Sequence, residues 1–212
     1  MKTMKTMKMI KFLAITLAIT SFLACSDDSD GNQLDVVSVT VEDLHAPQEG
    51  GMGQPISGPF TKFDFDTGME TDSETDWDIA FRGTTIIVNG GTSSGTIDEP
   101  SRNGDGGAYI ATGTMADITE VDISLFLQDS ESGLAITTGG GNGWYNYDFT
   151  THVISPIAGK ILVFKTADGR FAKVEILSYY QGAPDSPDGL IDQSRYYTFN
   201  YVYQPNSGET AF

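Results

Sequence analysis

An all-β fold, with predominantly antiparallel sheets and long loops, is predicted from three observations. No stretch of the 212-residue chain beyond its first two dozen residues keeps a helical period. Short apolar runs alternate with polar residues at a period of two, the signature of half-buried strands. The segment "ADG" lies between two such runs, and Asp-Gly in that setting is among the strongest hairpin signals a sequence carries.

Each element follows in order. "DVVSVTVED" (35–43) alternates and is rich in valine, so it reads as a strand, and "GGMGQPISGP" (50–59) as the loop after it. "FTKFDFD" (60–66) places Phe63 and Phe65 on one face and Lys62, Asp64 and Asp66 on the other. "WDIAFRGTTIIVNGG" (77–91) holds two apolar runs broken at Arg82 and Gly83. Residues 90–107 are mostly Gly, Ser, Thr, Asn and Asp, the composition of a long surface loop. "AYIATG" (108–113) reads as a further element, and "ISLFLQD" (123–129) suits either a strand or a short helix. "KILVFKT" (160–166) and "RFAKVEILSYY" (170–180) form the predicted hairpin. "RYYTFNYVYQ" (195–204) adds a strand with Tyr197, Phe199, Tyr201 and Tyr203 on one face, which reads as a core ladder of aromatic side chains.

The N-terminus addresses the chain elsewhere. Residues 1–24 carry Lys2, Lys5, Lys8 and Lys11, then an apolar run too short to span a bilayer, then Ala24 before Cys25, which is the one cysteine. This reads as a secretory signal. "SFLAC" resembles the lipobox of bacterial lipoproteins, in which Cys25 becomes the lipidated first residue and anchors the mature chain to a membrane. "SDDSDGNQ" follows, a polar and acidic tether over residues 25–34. It resembles the segment that sends lipoproteins of the Bacteroidetes to the outer face of the outer membrane. Residues 35–212 remain as one domain.

Charge narrows the partners. Removing residues 1–24 takes away four lysines and no acid, which carries the formal charge from −17 to about −21. Nucleic acid is excluded as a partner, because neutralising phosphates needs clustered Lys and Arg. Catalytic signatures are missing as well: the sequence has no Walker loop, no G-x-S-x-G, no H-E-x-x-H and no C-x-x-C, so no enzymatic activity is expected. "TDSETDWD" (71–78) gathers Asp72, Glu74, Asp76 and Asp78. It reads as a solvated acidic surface, with calcium as the functional alternative, although the twelve-residue calcium-loop pattern is absent.

One constellation is left. "NGWYNYDFTTH" (142–152) places Trp144, Tyr145, Tyr147 and Phe149 just before His152, one of two histidines in the chain. Aromatic walls with a nearby imidazole suit a flat metal-bearing cofactor, and they equally suit a packed strand end.

The segments "TDWDIAFRGTTIIVNGGTSSG", "GGAYIATGT", "NGWYNYD", "ILVFKTADGRFAKVEILSYY" and "YYTFNYVYQ", in this order, resemble the HmuY family of haem-binding lipoproteins of the Bacteroidetes. The similarity runs from about residue 76 to residue 203. It implies a right-hand-shaped all-β fold with a ligand cleft formed by loops. Such a protein captures haem, or another tetrapyrrole, and passes it to a TonB-dependent outer-membrane receptor. Family members hold haem iron with two histidine or methionine side chains on loops. One is expected between residues 125 and 143, where this chain has neither type; the other is expected near Phe149, where His152 is the closest nitrogen ligand. Met115 is the nearest thioether to offer as a partner, ahead of Met52 and Met69. Trp144, Tyr145, Tyr147 and Phe149 become candidate walls. Arg82 becomes a candidate propionate contact, or else a partner for the Asp78 carboxylate. The reading from a different class is a surface interaction or glycan-binding module on the same fold.

Overall fold

A computed structural model describes residues 33–212 apart from Met52. The signal segment, Cys25, most of the tether and the Met52 candidate therefore lie outside the described residues. Gln33–Phe212 forms one compact unit.

The chain opens with β1 (Val37–His45) and a small hairpin of β2 (Glu49–Gly51) and β3 (Gln54–Ser57). β4 (Thr61–Asp64), β5 (Met69–Thr71), β6 (Ile79–Arg82) and β7 (Thr85–Val88) follow, and β8 (Gly107–Thr112) comes after the long connection. A single 3-10 turn at Ile123–Leu125 precedes the paired β9 (Tyr145–Tyr147) and β10 (Ile154–Pro156). The last strands are β11 (Lys160–Lys165), β12 (Phe171–Tyr180) and β13 (Ser194–Gln204). The strands assemble into a five-stranded sheet, β1-β13-β12-β11-β8, and a four-stranded sheet, β5-β4-β6-β7, with every strand pairing antiparallel. The all-β class and the antiparallel arrangement agree with the sequence.

Alternation explains the layering. Along β6 and β7, Ile79, Phe81, Ile86 and Val88 join one buried cluster while Ala80 and Ile87 join another with Phe60 and Trp77. Along β11, Leu162 and Phe164 face the first cluster, and Ile161 and Val163 face a third. The two sheets thus share a central core, and each buries its other face under loops. Tyr197, Phe199, Tyr201 and Tyr203 all point into the central core and are essentially fully buried. Each such side chain contributes roughly 1.5–3 kcal/mol on burial, and the edge-on contacts of Phe199 and Tyr201 with Phe63 and the tilted one of Tyr201 with Phe65 bridge the two sheets.

The hairpin at 167–169 forms as expected, with the Thr166 N–H donating to the Arg170 carbonyl and Gly169 at φ +87°. That left-handed conformation is the reason for glycine there. "ISLFLQD" turns out to be a 3-10 turn that ends in an isolated bridge between Leu127 and Ala108. Residues 90–106 contain no named strand, as the composition predicts, yet they are pinned. Arg102 donates to the Val88 carbonyl and pairs with Glu99 and Asp129, all three side chains being almost completely buried. Burial pushes the Asp129 carboxyl up, against the lowering by the Ala135 and Val88 N–H groups and Arg102.

Candidate functional site

Two concavities differ in chemistry. The first, of about 410 Å³, is walled by Asp64, Asp66, Asp76, Asp78 and Asp168 with Arg170 beside them. Asp76 accepts from the hydroxyls of Ser73 and Thr75, so it organises a local turn. Among the described residues no group of His, Cys, Asp or Glu has a metal-holding arrangement, so the calcium alternative finds no ligand set in this segment.

The second, of about 740 Å³, has no charged side chain in its lining: Gln48, Thr84, Gly140, Gly141, Asn146 and Ile154, with Tyr145, Tyr147 and Phe149 as its aromatic surface. β9 and β10 form this wall. Their hairpin loop starts with an Asp148 turn, in which the carboxylate accepts from the Thr150 N–H at 2.7 Å and the Asp148 N–H donates to the Val153 carbonyl. The backbone N–H groups of Thr150 and Thr151 hold the Asp148 carboxyl below its ordinary range.

The wall is anchored from beneath. Trp144 is 2% exposed, donates from Nε1 to the Thr84 carbonyl at 3.0 Å, and packs on Tyr145, Tyr179 and Tyr197. It is a core anchor under the cleft and not a lining residue. The Thr84 hydroxyl donates to the Tyr145 phenol at 3.3 Å, and the Tyr197 phenol donates to the Gly83 carbonyl at 2.9 Å. These contacts fix the β6–β7 turn against the β9 strand. Glycine permits the opposite approach: a Cβ on Gly140 would stand 3.3 Å from the Tyr147 backbone nitrogen.

At the lip, Phe149 is 84% exposed and meets Tyr147 edge-on at 4.9 Å between centroids. The Tyr147 phenol oxygen lies 2.6 Å from His152 Nδ1. His152 does not line the cleft; Tyr147 does. The His152 backbone sits at φ +58°, a left-handed conformation uncommon for a residue with a side chain. The chain from β12 to β13 presses on it, since a Cβ on Gly189 would stand 2.3 Å from the His152 carbonyl oxygen.

Several expected members are elsewhere. Met115 packs with Tyr109, Val121, Ile161, Val163 and Phe171, on the face of the five-stranded sheet opposite to the central core, and its carbonyl accepts from Lys173 Nζ. The structure does not bring it to Tyr147 or His152. Met69 is an exposed residue of the edge strand β5. Arg82 is buried and lies over the Phe60 ring at 4.1 Å, donating to the carbonyls of Gly58 and Ile97. It neither lines the cleft nor pairs with Asp78. Four residues along a strand separate two side chains by roughly 13 Å, and Asp78 instead accepts the N–H groups of Phe65 and Ala167. Gln48, Thr84 and the glycines 140 and 141 enter the cleft without having been expected; the glycine run 139–141 was the signal, with Gly140 making the close approach.

A family model, described as HmuY protein, matches residues 59–201. The chain belongs to the HmuY family. Searching the curated proteins finds no match. Among solved structures, the apo HmuY analog of Tannerella forsythia shares 13% identity at a TM-score of 0.50, covering 82% of this chain and all of that one. A Bacteroides vulgatus protein whose name describes it as HmuY-like and heme-binding shares 15% identity at a TM-score of 0.46, covering 82% of this chain and 97% of that one. The Tannerella likeness concerns the fold. Within the HmuY family match lie the whole β9–β10 wall, the Gly140–Gly141 approach and Thr84; Gln48 is the lining residue outside it.

Proposed function

We propose that this HmuY-family protein is a non-enzymatic surface lipoprotein that takes up haem in the cleft bounded by Tyr145, Tyr147 and Phe149. It delivers the haem to a TonB-dependent outer-membrane receptor. Anchored through Cys25, it works at the outer face of the outer membrane. The observation that carries the reading is an uncharged, aromatic cleft in a chain of net charge −17.

The residues fit the cargo. A volume of about 740 Å³ lies within the range of small-molecule sites, roughly 300–1,000 Å³. Stacking on the Tyr145 and Phe149 rings suits the apolar porphyrin faces. Its carboxylates are best met where no acid lines the wall, and Arg195, whose Nη1 donates to the Gln48 carbonyl at 2.7 Å, supplies a cation at that edge. For the metal, the lip offers a phenol and an imidazole hydrogen-bonded to each other.

A thermal-shift comparison tests the reading. Haemin at a hundredfold excess over its dissociation constant adds about 2.7 kcal/mol to stability, which raises the Tm of a domain this size by about 5–11 °C. A panel of glycans is expected to leave the Tm unchanged. A shift with a glycan and none with haemin would establish the glycan-binding alternative instead.

A further inference from the structure

We infer that the iron donor is the Tyr147 phenol oxygen, and that His152 is its hydrogen-bond partner and not itself a ligand. This rests on the haem reading above and names the atom of that site which meets the metal.

The geometry separates the two side chains. Tyr147 lines the cleft and His152 does not, so a flat ligand against the β9 wall meets the Tyr147 side chain before the imidazole. His152 Nδ1 is already engaged at 2.6 Å with the Tyr147 oxygen. A ring nitrogen committed to a neighbour's hydroxyl is arranged as a metal ligand's supporting group, which orients the donor and raises its basicity. The Phe149 edge contact holds the Tyr147 ring from the other side. Gly189 fits against the His152 carbonyl where no Cβ could, so the loop that carries the imidazole is held by the β12–β13 connection. Among the described residues, Met115 lies on the far face of the five-stranded sheet and His45 stacks on Tyr196, so neither competes at this lip.

The chemistry balances without an added reagent. The phenol oxygen would bond ferric iron as the phenolate, its proton leaving with the water or chloride displaced from haemin, while the His152 Nδ1 contact orients the oxygen. No electron moves. Phenolate is a hard oxygen donor of the kind that haem proteins use with ferric iron, so the site prefers the oxidised cargo.

Absorption and electron paramagnetic resonance spectra of the Gln33–Phe212 unit with haemin test this, using the wild type, Tyr147→Phe and His152→Ala. The wild type is expected to give a high-spin ferric signal with a phenolate-to-iron charge-transfer band. Tyr147→Phe should abolish that band and weaken haemin binding at least tenfold. His152→Ala should keep the band and weaken binding a few-fold. Both side chains stand at the lip, and unchanged Tm values without haemin check that the variants fold. A low-spin spectrum that survives Tyr147→Phe and is lost in His152→Ala would assign the iron to the imidazole and overturn the inference while leaving the haem reading intact. Spectra unaffected by both variants would do the same. A wild type that takes up no haemin overturns both.

Discussion

Asp78 is where the two sheets and the 167–169 hairpin meet, and its titration should contribute stability in mild acid that is lost towards neutral pH. The side chain is 7% exposed, accepting the Phe65 N–H at 2.9 Å and the Ala167 N–H at 2.8 Å. Burial raises its pKa from 3.8 to about 6, against the lowering by those two bonds and with the nearby charges of Asp64 and Asp168 adding to the rise. Between those values the folded chain holds a proton that the unfolded chain has lost, so unfolding free energy falls as pH rises. At 1.36 kcal/mol per pH unit the gap amounts to about 3 kcal/mol. That stability is fully present below pH 3.8 and is lost as pH climbs through about 6. Urea unfolding of the wild type and Asp78→Asn, from about pH 4 to about pH 7.5, isolates this group. Exposed carboxyls with lowered pKa, such as Asp105, Asp117 and Asp148, act in the opposite sense but equally in both proteins. The amide leaves one backbone N–H without an acceptor, at about 1–3 kcal/mol in mild acid. The wild-type advantage should therefore shrink by about 2 kcal/mol between about pH 4 and about pH 7.5 and fall to near zero or reverse at neutrality. A difference that stays constant across the range would refute the assignment of a strained, buried carboxylate.

Two further substitutions follow from the geometry. Arg102→Ala removes the shared partner of Glu99 and Asp129 and leaves two buried carboxylates. It should cost about 3–5 kcal/mol, read as a Tm lowered by roughly 6–20 °C; a loss under 1 kcal/mol in urea unfolding would mean the 90–106 strap is not pinned there. Gly189→Ala puts a methyl group 2.3 Å from the His152 carbonyl oxygen. The backbone must move, with about 1–3 kcal/mol lost and haemin affinity reduced, and an isothermal titration indistinguishable from wild type would show that the His152 loop plays no part in binding.

Most of the fold could be read from local alternation, because period two decides which side of a strand is buried whatever lies opposite. The Tyr197–Tyr203 ladder and the 167–169 hairpin are cases of this. Segment 123–129 was ambiguous because its apolar residues serve a turn: Ile123, Leu125 and Leu127 stay exposed while Phe126 packs against Tyr109 and Phe171. At the site, the aromatic run 144–149 was visible, but not the division of labour within it. Trp144 turns inward because the Thr84 carbonyl awaits its indole N–H, and Thr84 lies 60 residues away in sequence. Met115 was the nearest thioether available for the second ligand that the family resemblance implies, whereas it packs on the face of the five-stranded sheet opposite to the central core. The Tyr147–His152 contact spans only five residues, yet it depends on the left-handed backbone at His152, which no residue type announces.

The central claim is that the neutral aromatic cleft is where haem binds, and a Soret-band titration of haemin into the Gln33–Phe212 unit and its Thr84→Trp variant tests it most directly. Thr84 lines the cleft, and the contact that anchors Trp144 uses its backbone carbonyl, so the bulkier ring fills the slot and keeps the Trp144 anchor while losing the hydroxyl bond to the Tyr145 phenol. Saturation at one equivalent is expected for the wild type and no saturable binding for the variant. Equal binding by both proteins would place haem elsewhere on the molecule, and a wild-type spectrum identical to that of free haemin would contradict the account outright.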